Sequence, residues 1–119
     1  MKKINRIFIF ILVLVVMAGL FPALSNTVIA QNNYSPIAIQ NFNGHTYAVY
    51  DVGMTWKEAK AYAENLGGHL VTITSQAEND FVTNLIRNCT KNLYWIGAES
   101  EQRWGYWKWV TGEAWGYTN

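Results

Sequence analysis

The sequence predicts one small domain of interleaved strands and helices, in the order strand, helix, strand, helix, then further strands. Three observations predict it. Two boxes, Thr55-Trp56-Lys57-Glu58 and Ser75-Gln76-Ala77-Glu78, each stand before an apolar stripe at helical spacing. Short runs of strand formers lie around them: Tyr47–Tyr50, His69–Thr74 and Leu93–Ile96. The chain of 119 residues holds 15% aromatics, with six Trp and seven Tyr, against 14% charged residues. Rings in that number bury enough area to offset chain entropy, which argues against disorder, and the length allows one domain.

The first thirty residues read as an address. Lys2, Lys3 and Arg6 give a positive start, and an apolar run follows from Ile7 to Leu24, interrupted by Gly19 and Pro22. Val28-Ile29-Ala30 then offers a small-x-small cleavage site, so residues 1–30 are expected to be a signal peptide. The run is also just long enough to span a bilayer, so an uncleaved anchor is the rival reading. Either way the remainder lies outside the cytoplasmic membrane, secreted or extracytoplasmic. Removal of residues 1–30 leaves eight acidic against six basic residues, a net charge of −2.

Residues 31–41 are polar around Pro36 and read as a lead-in segment, with the domain beginning at residue 42. Tyr47–Tyr50 is the first strand. In the first box, the Thr55 hydroxyl accepts from the Glu58 amide while the Glu58 carboxylate reaches back to the Thr55 amide. Trp56, Ala59, Ala63 and Leu66 then line one helical face, and Gly67 ends the helix in the left-handed position. His69–Thr74 is the second strand, with Val71 and Ile73 on one face. Ser75 and Glu78 form the second box, ahead of a helix whose stripe is Phe81, Val82, Leu85 and Ile86. Leu93–Ile96 reads as a strand buried on both faces. Trp104 to Thr111 alternates, with Trp107 and Trp109 pointing one way, and Thr111-Gly112 marks a turn.

Composition excludes several classes. The net charge of +1 provides no basic field for nucleic acid. One Cys forms no internal disulfide, and with two His it builds no zinc cluster. His45 and His69 stand apart from other ligand types and read as structural. Asn88-Cys89-Thr90 fits a glycosylation sequon formally. There is no Ser-His-Asp arrangement, no acid/base pair of carboxylates and no glycine-rich phosphate loop, so no enzyme is expected.

Taken together, these blocks resemble a C-type lectin domain. The resemblance is carried by Trp56-x-x-Ala59-x-x-x-Ala63, Gly67-Gly68-His69-Leu70-Val71, Ser75-x-Ala77-Glu78-Asn79, Trp95-Ile96-Gly97-Ala98, Trp107-x-Trp109-Val110-Thr111-Gly112 and Tyr117-Thr118-Asn119. It covers about Asn43 to Asn119. It implies an α+β, C-type lectin-like fold, with two helices flanking antiparallel sheets and a long loop carrying the ligand site. It also implies that residues 42–119 are a truncated domain: the family's Trp, its Glu-Pro-Asn or Gln-Pro-Asp triplet and its Trp-Asn-Asp strand would all follow Asn119. In the complete domain those residues hold calcium, and the calcium takes two sugar hydroxyls. Ala63 stands where the family has a Cys, and Ser100 and Trp104 stand where it has acidic residues of an auxiliary calcium site.

The resemblance thus implies an exported carbohydrate-binding module, calcium-dependent when complete, with extracellular glycans or glycoproteins as partners and contact with a membrane only through the N-terminal segment. The alternatives are a calcium-independent protein-binding or adhesion module of the same fold, or an inactive fragment. Candidate carbohydrate-binding residues are Trp104, Trp115 and Asn119. Glu78, with the strand carbonyl near Thr72, matches a structural calcium site of the family; against this, the capping box already accounts for Glu78. Trp95, Trp107 and Trp109 are expected in the core.

Overall fold

The computed structural model describes residues 33–89, 93–100 and 105–117, together with the backbone of residues 9–14. The strands are β1 (Ile9–Leu14), β2 (Ala38–Phe42), β3 (His45–Tyr50), β4 (His69–Leu70), β5 (Tyr94–Trp95), β6 (Ala98–Ser100) and β7 (Trp107–Trp109). The helices are α1 (Trp56–Asn65) and α2 (Gln76–Ile86). This is the mixed α+β arrangement that the sequence predicts. Among the described residues, no helix is long and apolar enough to cross a membrane.

Five strands form one sheet in the order β2-β3-β1-β4, with β5 also on β1. A separate two-stranded sheet pairs β6 with β7. In the larger sheet β3 runs antiparallel to both its neighbours. Its side chains alternate, and both sets are buried. Tyr47 and Val49 join Val82 and Leu85 of α2 in one cluster, which also holds Val71. Ala48 and Tyr50 join Ala59 and Ala63 of α1 in another, which also holds Leu70. The two helices therefore cover opposite faces of the sheet. A strand covered on both faces is read from sequence as a continuous run of strand formers rather than as an apolar/polar alternation, and Tyr47-Ala48-Val49-Tyr50 is such a run.

The helix ends follow their local chemistry. At α1 the Glu58 amide donates to the Thr55 hydroxyl at 3.3 Å, and the Thr55 amide donates to the Glu58 carboxylate at 2.7 Å, so the capping box is closed. The Thr55 amide, with the Thr55 hydroxyl beside it, holds the Glu58 carboxyl below the usual carboxylate range. At the other end Gly67 takes φ of +81° and donates to Glu64, while the Gly68 amide donates to the Ala63 carbonyl. These two bonds are the Schellman termination, which requires a residue tolerant of positive φ. The expected stripe is in place: Ala59 and Ala63 are fully buried, with Trp56 and Leu66 packed beside them. On α2, Val82 and Leu85 are buried, and Phe81 and Ile86 pack against their cluster.

Several boundaries differ from expectation. The first strand starts at His45, and the segment expected as lead-in, 31–41, contains most of β2. The cause is a two-residue turn: Asn43 and Gly44 both have positive φ, and they join β2 to β3 as a hairpin. The second strand is short, His69–Leu70, although Val71 beyond it remains fully buried. Leu93, expected inside, is exposed, and β5 keeps only Tyr94–Trp95. Inside the segment expected as an address, Ile9–Leu14 forms β1, the central strand of the sheet. The expected cleavage site at Ala30 lies outside the described residues.

Candidate functional site

The turn after β5 locks the small sheet onto the large one. Gly97 donates to the Val71 carbonyl at 2.7 Å and accepts from the Val110 amide at 2.8 Å. A Cβ at Gly97 would lie 2.6 Å from the Leu70 carbonyl oxygen and 2.9 Å from a Val110 methyl, so glycine is required by close approach. Two indoles tie the same region to α1 and to the segment just before it. Trp56 Nε1 donates to the Ile96 carbonyl at 2.8 Å, and Trp95 Nε1 donates to the Met54 carbonyl at 2.9 Å. Both rings are half-buried, as amphipathic side chains with one polar atom to satisfy.

The β6–β7 hairpin projects from this anchor. Ala98 pairs with Trp109 and Ser100 with Trp107. The Glu99–Lys108 pair between them places an ammonium 3.6 Å from a carboxylate. Trp109 is buried, as expected, but Trp107 is 53% exposed, which corrects its expected place in the core. Alternation along β7 correctly puts both indoles on one face; what it cannot say is how far along the strand that face is covered. Trp115 bridges them. Its ring lies 4.4 Å from Trp109 and 6.3 Å from Trp107, within 24° of parallel to the latter. Tyr106, 75% exposed, stands beside Trp107 in sequence. The result is an aromatic face that is buried at Trp109 and open at Trp107 and Trp115.

A network of hydroxyls and carboxylates fixes the loop that carries Trp115. Glu113 accepts from the Thr111 hydroxyl at 2.6 Å and from the buried Thr72 hydroxyl at 2.7 Å. The Thr111 bond is the main reason its carboxyl is held below the usual range. Burial opposes the shift, while the Thr72 bond and the nearby His69 and His45 favour it. Tyr117 donates to the Gln76 side chain at the start of α2, closing the far end of the loop.

Glu78 is placed differently from a capping-box glutamate. Ser75 caps α2 by accepting from the Glu78 amide at 3.2 Å, as expected. The Glu78 carboxylate, however, accepts from the Tyr47 hydroxyl at 2.7 Å through one oxygen. Through the other it accepts from the amide and hydroxyl of Thr74, at 2.9 and 3.1 Å. Burial, the bond to Glu78 and the charges of Glu78 and Glu113 raise the Tyr47 phenol well above its ordinary value, so it stays a donor.

Calcium requires six to eight oxygen ligands. Both Glu78 oxygens already serve protein donors, and the Thr72 hydroxyl faces Glu113 rather than Glu78. Among the described residues no three His, Cys, Asp or Glu side chains come together as a metal set. The Glu78 carboxylate thus braces β3 and Thr74 to the start of α2, and a cation there would share its oxygens with these donors.

Of the candidate sugar-binding residues, Trp115 lies on the open aromatic face, while Trp104 and Asn119 lie outside the described residues. Trp107 is the residue that the site adds. Its sequence signal was its position at the end of a short hairpin strand, two residues past Gly105. Cys89 packs against the α2 cluster, its Sγ 3.8 Å from the Leu85 carbonyl oxygen.

Comparison with known proteins agrees with these features. The profile of the lectin C-type domain matches residues 52–119. C-type lectin domain family 4 member F of Mus musculus is 33% identical over 85 residues, covering 69% of this chain and 15% of that protein. Lithostathine of Bos taurus is 33% identical over 90 residues, covering 69% of this chain and 51% of that protein. The hepatic lectin of Gallus gallus is 38% identical over 71 residues, covering 60% of this chain and 33% of that protein. The chain thus spans from about a seventh to about half of the length of these relatives. No solved structure matches it at significance. With a profile match over more than half its length, set on a helix-flanked sheet and an anchored Trp-Ile-Gly turn, the chain belongs to the C-type lectin domain family.

Proposed function

We propose that the domain is an exported binding module for carbohydrate, and that a sugar ring lies against the indoles of Trp107 and Trp115. C-type lectin domains are in general binding modules rather than enzymes. The observation that carries the proposal is the open pair of near-parallel indoles, 6.3 Å apart, in a chain that buries its other tryptophan of β7. The C–H face of a pyranose packs on an indole face, and the indole N–H supplies a polar handle. Trp104 and Asn119 complete the proposed contact set. Extracellular glycans or glycoproteins are the proposed partners, and residues 1–30 are the proposed export signal. Calcium dependence of the complete domain belongs to the same proposal, as the family resemblance implies.

The test is a glycan array probed with the full chain, with and without a calcium chelator. Binding that persists in chelator and falls at least tenfold in Trp115→Ala supports the aromatic face. Binding that chelator abolishes moves the site to calcium ligands. No glycan binding at all overturns the proposal.

The second reading is a calcium-independent module for protein surfaces. It is favoured by the protein donors that already hold both oxygens of Glu78. A fold does not fix a function, so both ligand classes suit this architecture. A pull-down that survives chelator and excess sugar together would select it.

A further inference from the structure

The loop that carries Trp115 is clamped at both ends to one distant segment. At its start the Glu113 carboxylate accepts from the Thr111 hydroxyl at 2.6 Å and from the Thr72 hydroxyl at 2.7 Å. At its end the Tyr117 hydroxyl donates to the Gln76 side chain at 2.8 Å, and Gln76 donates onward to Asp80 at 2.7 Å. Each clamp spans 41 positions, so the two run in step along the path from β4 into α2. Between them the Gly116 amide donates to the Ala114 carbonyl at 2.9 Å, a three-residue turn with Trp115 at its centre. The two clamps differ in strength. An O–H donor to a carboxylate at these distances is a short, charge-assisted bond, whereas the Tyr117–Gln76 bond is neutral and exposed. The anchor of the stronger clamp is also fixed. Thr72 is 4% exposed and follows Val71, whose carbonyl holds the Gly97 amide.

We propose that Glu113 and Thr72 are positioning residues for carbohydrate binding: without touching the sugar, they fix the Trp115 indole against Trp109 and Trp107 and so set the affinity of the aromatic face. The effect on affinity rests on the carbohydrate reading above; the placing of the ring rests on the bonds of Glu113 alone. A loop that must order itself around a ligand loses that ordering from the binding free energy, and a loop already held does not. A stacking platform therefore depends on the hydrogen bonds behind it as much as on its rings. Thr72 is the buried end of this support. Its hydroxyl, polar and 4% exposed, is turned to Glu113, and Glu113 carries that fixed position out to the exposed loop two residues before Trp115. The Trp115 ring then lies 4.4 Å from Trp109 and 6.3 Å from Trp107.

The experiment uses the full chain and two readouts. The first needs no ligand. Indoles as close as Trp109 and Trp115 couple their transitions, and the resulting couplet in circular dichroism is assigned as the part that Trp115→Phe removes. The second is affinity on the glycan array described above. Thr72→Val keeps the shape of the side chain and removes the hydroxyl. We expect it to lose most of the couplet and to bind glycan about tenfold more weakly. Thr72→Ser, which restores the hydroxyl, should keep both. Tyr117→Phe, which cuts the neutral clamp, should weaken binding only about twofold. If urea unfolding shows that Thr72→Val does not fold, Glu113→Ala on the exposed side takes its place with the same expectations. A couplet equal to the parent's in these variants overturns the proposal, as does a lost couplet with unchanged array affinity. A parent spectrum that Trp115→Phe leaves unaltered overturns it too. A parent that binds no glycan overturns the carbohydrate reading and the effect on affinity together, while the couplet still decides whether Glu113 and Thr72 place the ring.

Discussion

The β3 strand and the β7 strand use the same kinds of residue to opposite ends. Tyr47 and Tyr50 in β3 are buried, one on each face, because α2 and α1 cover both sides of the sheet. Trp107 in β7 is more exposed than buried, although it lies on the same strand face as fully packed Trp109. Ring chemistry alone therefore does not decide burial. What decides it is whether a second element lies over the face, and in β6–β7 the described cover on the aromatic side is the Trp115 ring, closer to Trp109 than to Trp107. The first region holds the fold, and the second is free to meet a ligand.

Four changes would break or sharpen that contrast. The largest effect is expected within the helix-covered region: Leu85→Ala should lower stability by about 3 kcal/mol, by loss of buried methyls and creation of a cavity. Urea unfolding followed by circular dichroism checks it. Next comes the joint between the regions. Gly97→Ala should cost about 2 kcal/mol, since the added methyl meets the Leu70 carbonyl oxygen and Val110. A change below about 0.5 kcal/mol in the same urea assay would show that the joint adapts freely.

A smaller effect is expected at the loop brace. The Glu113 carboxyl is held below its ordinary 4.5 in the folded chain. Its stabilising contribution is therefore full above the unfolded value and is lost as pH falls through the folded one. Glu113→Gln should lower stability at pH 7 by less than about 1 kcal/mol, as one charged acceptor of two hydroxyls is lost. The gap between variant and parent should close below about pH 4.5, and thermal melts across pH 3 to 7 test this. The smallest stability effect is expected for Trp107→Ala, within about 0.5 kcal/mol, as for other exposed sites. The same variant should lose most glycan affinity. A large drop in its melting temperature would place Trp107 with the core and remove the contrast.

Much of the helix-covered region is legible in the sequence. The α1 capping box, the Gly67 stop and both helical stripes depend on residues within a few positions of each other, and such local chemistry can be read directly. Long-range choices cannot. Glu78 has the spacing of a box glutamate, yet its carboxylate goes to Tyr47, which lies 31 positions earlier. The Asn43-Gly44 pair was a readable hairpin signal that the polarity of residues 31–41 concealed. For Ile9–Leu14, a central strand and the core of an export signal have the same composition, and only pairing separates them. At the candidate site, alternation gave the faces of Trp107 and Trp109 but not the extent of cover over them.

The placement of β1 also sets an order of events during synthesis. Ile9 pairs with Tyr94, so the first-made strand waits for a partner 85 residues downstream. At ordinary elongation speeds that wait is on the order of ten seconds. Throughout it the apolar segment has an incomplete sheet to join. The central strand of the sheet is thus made first and waits for its last described partner until Trp95 has been made.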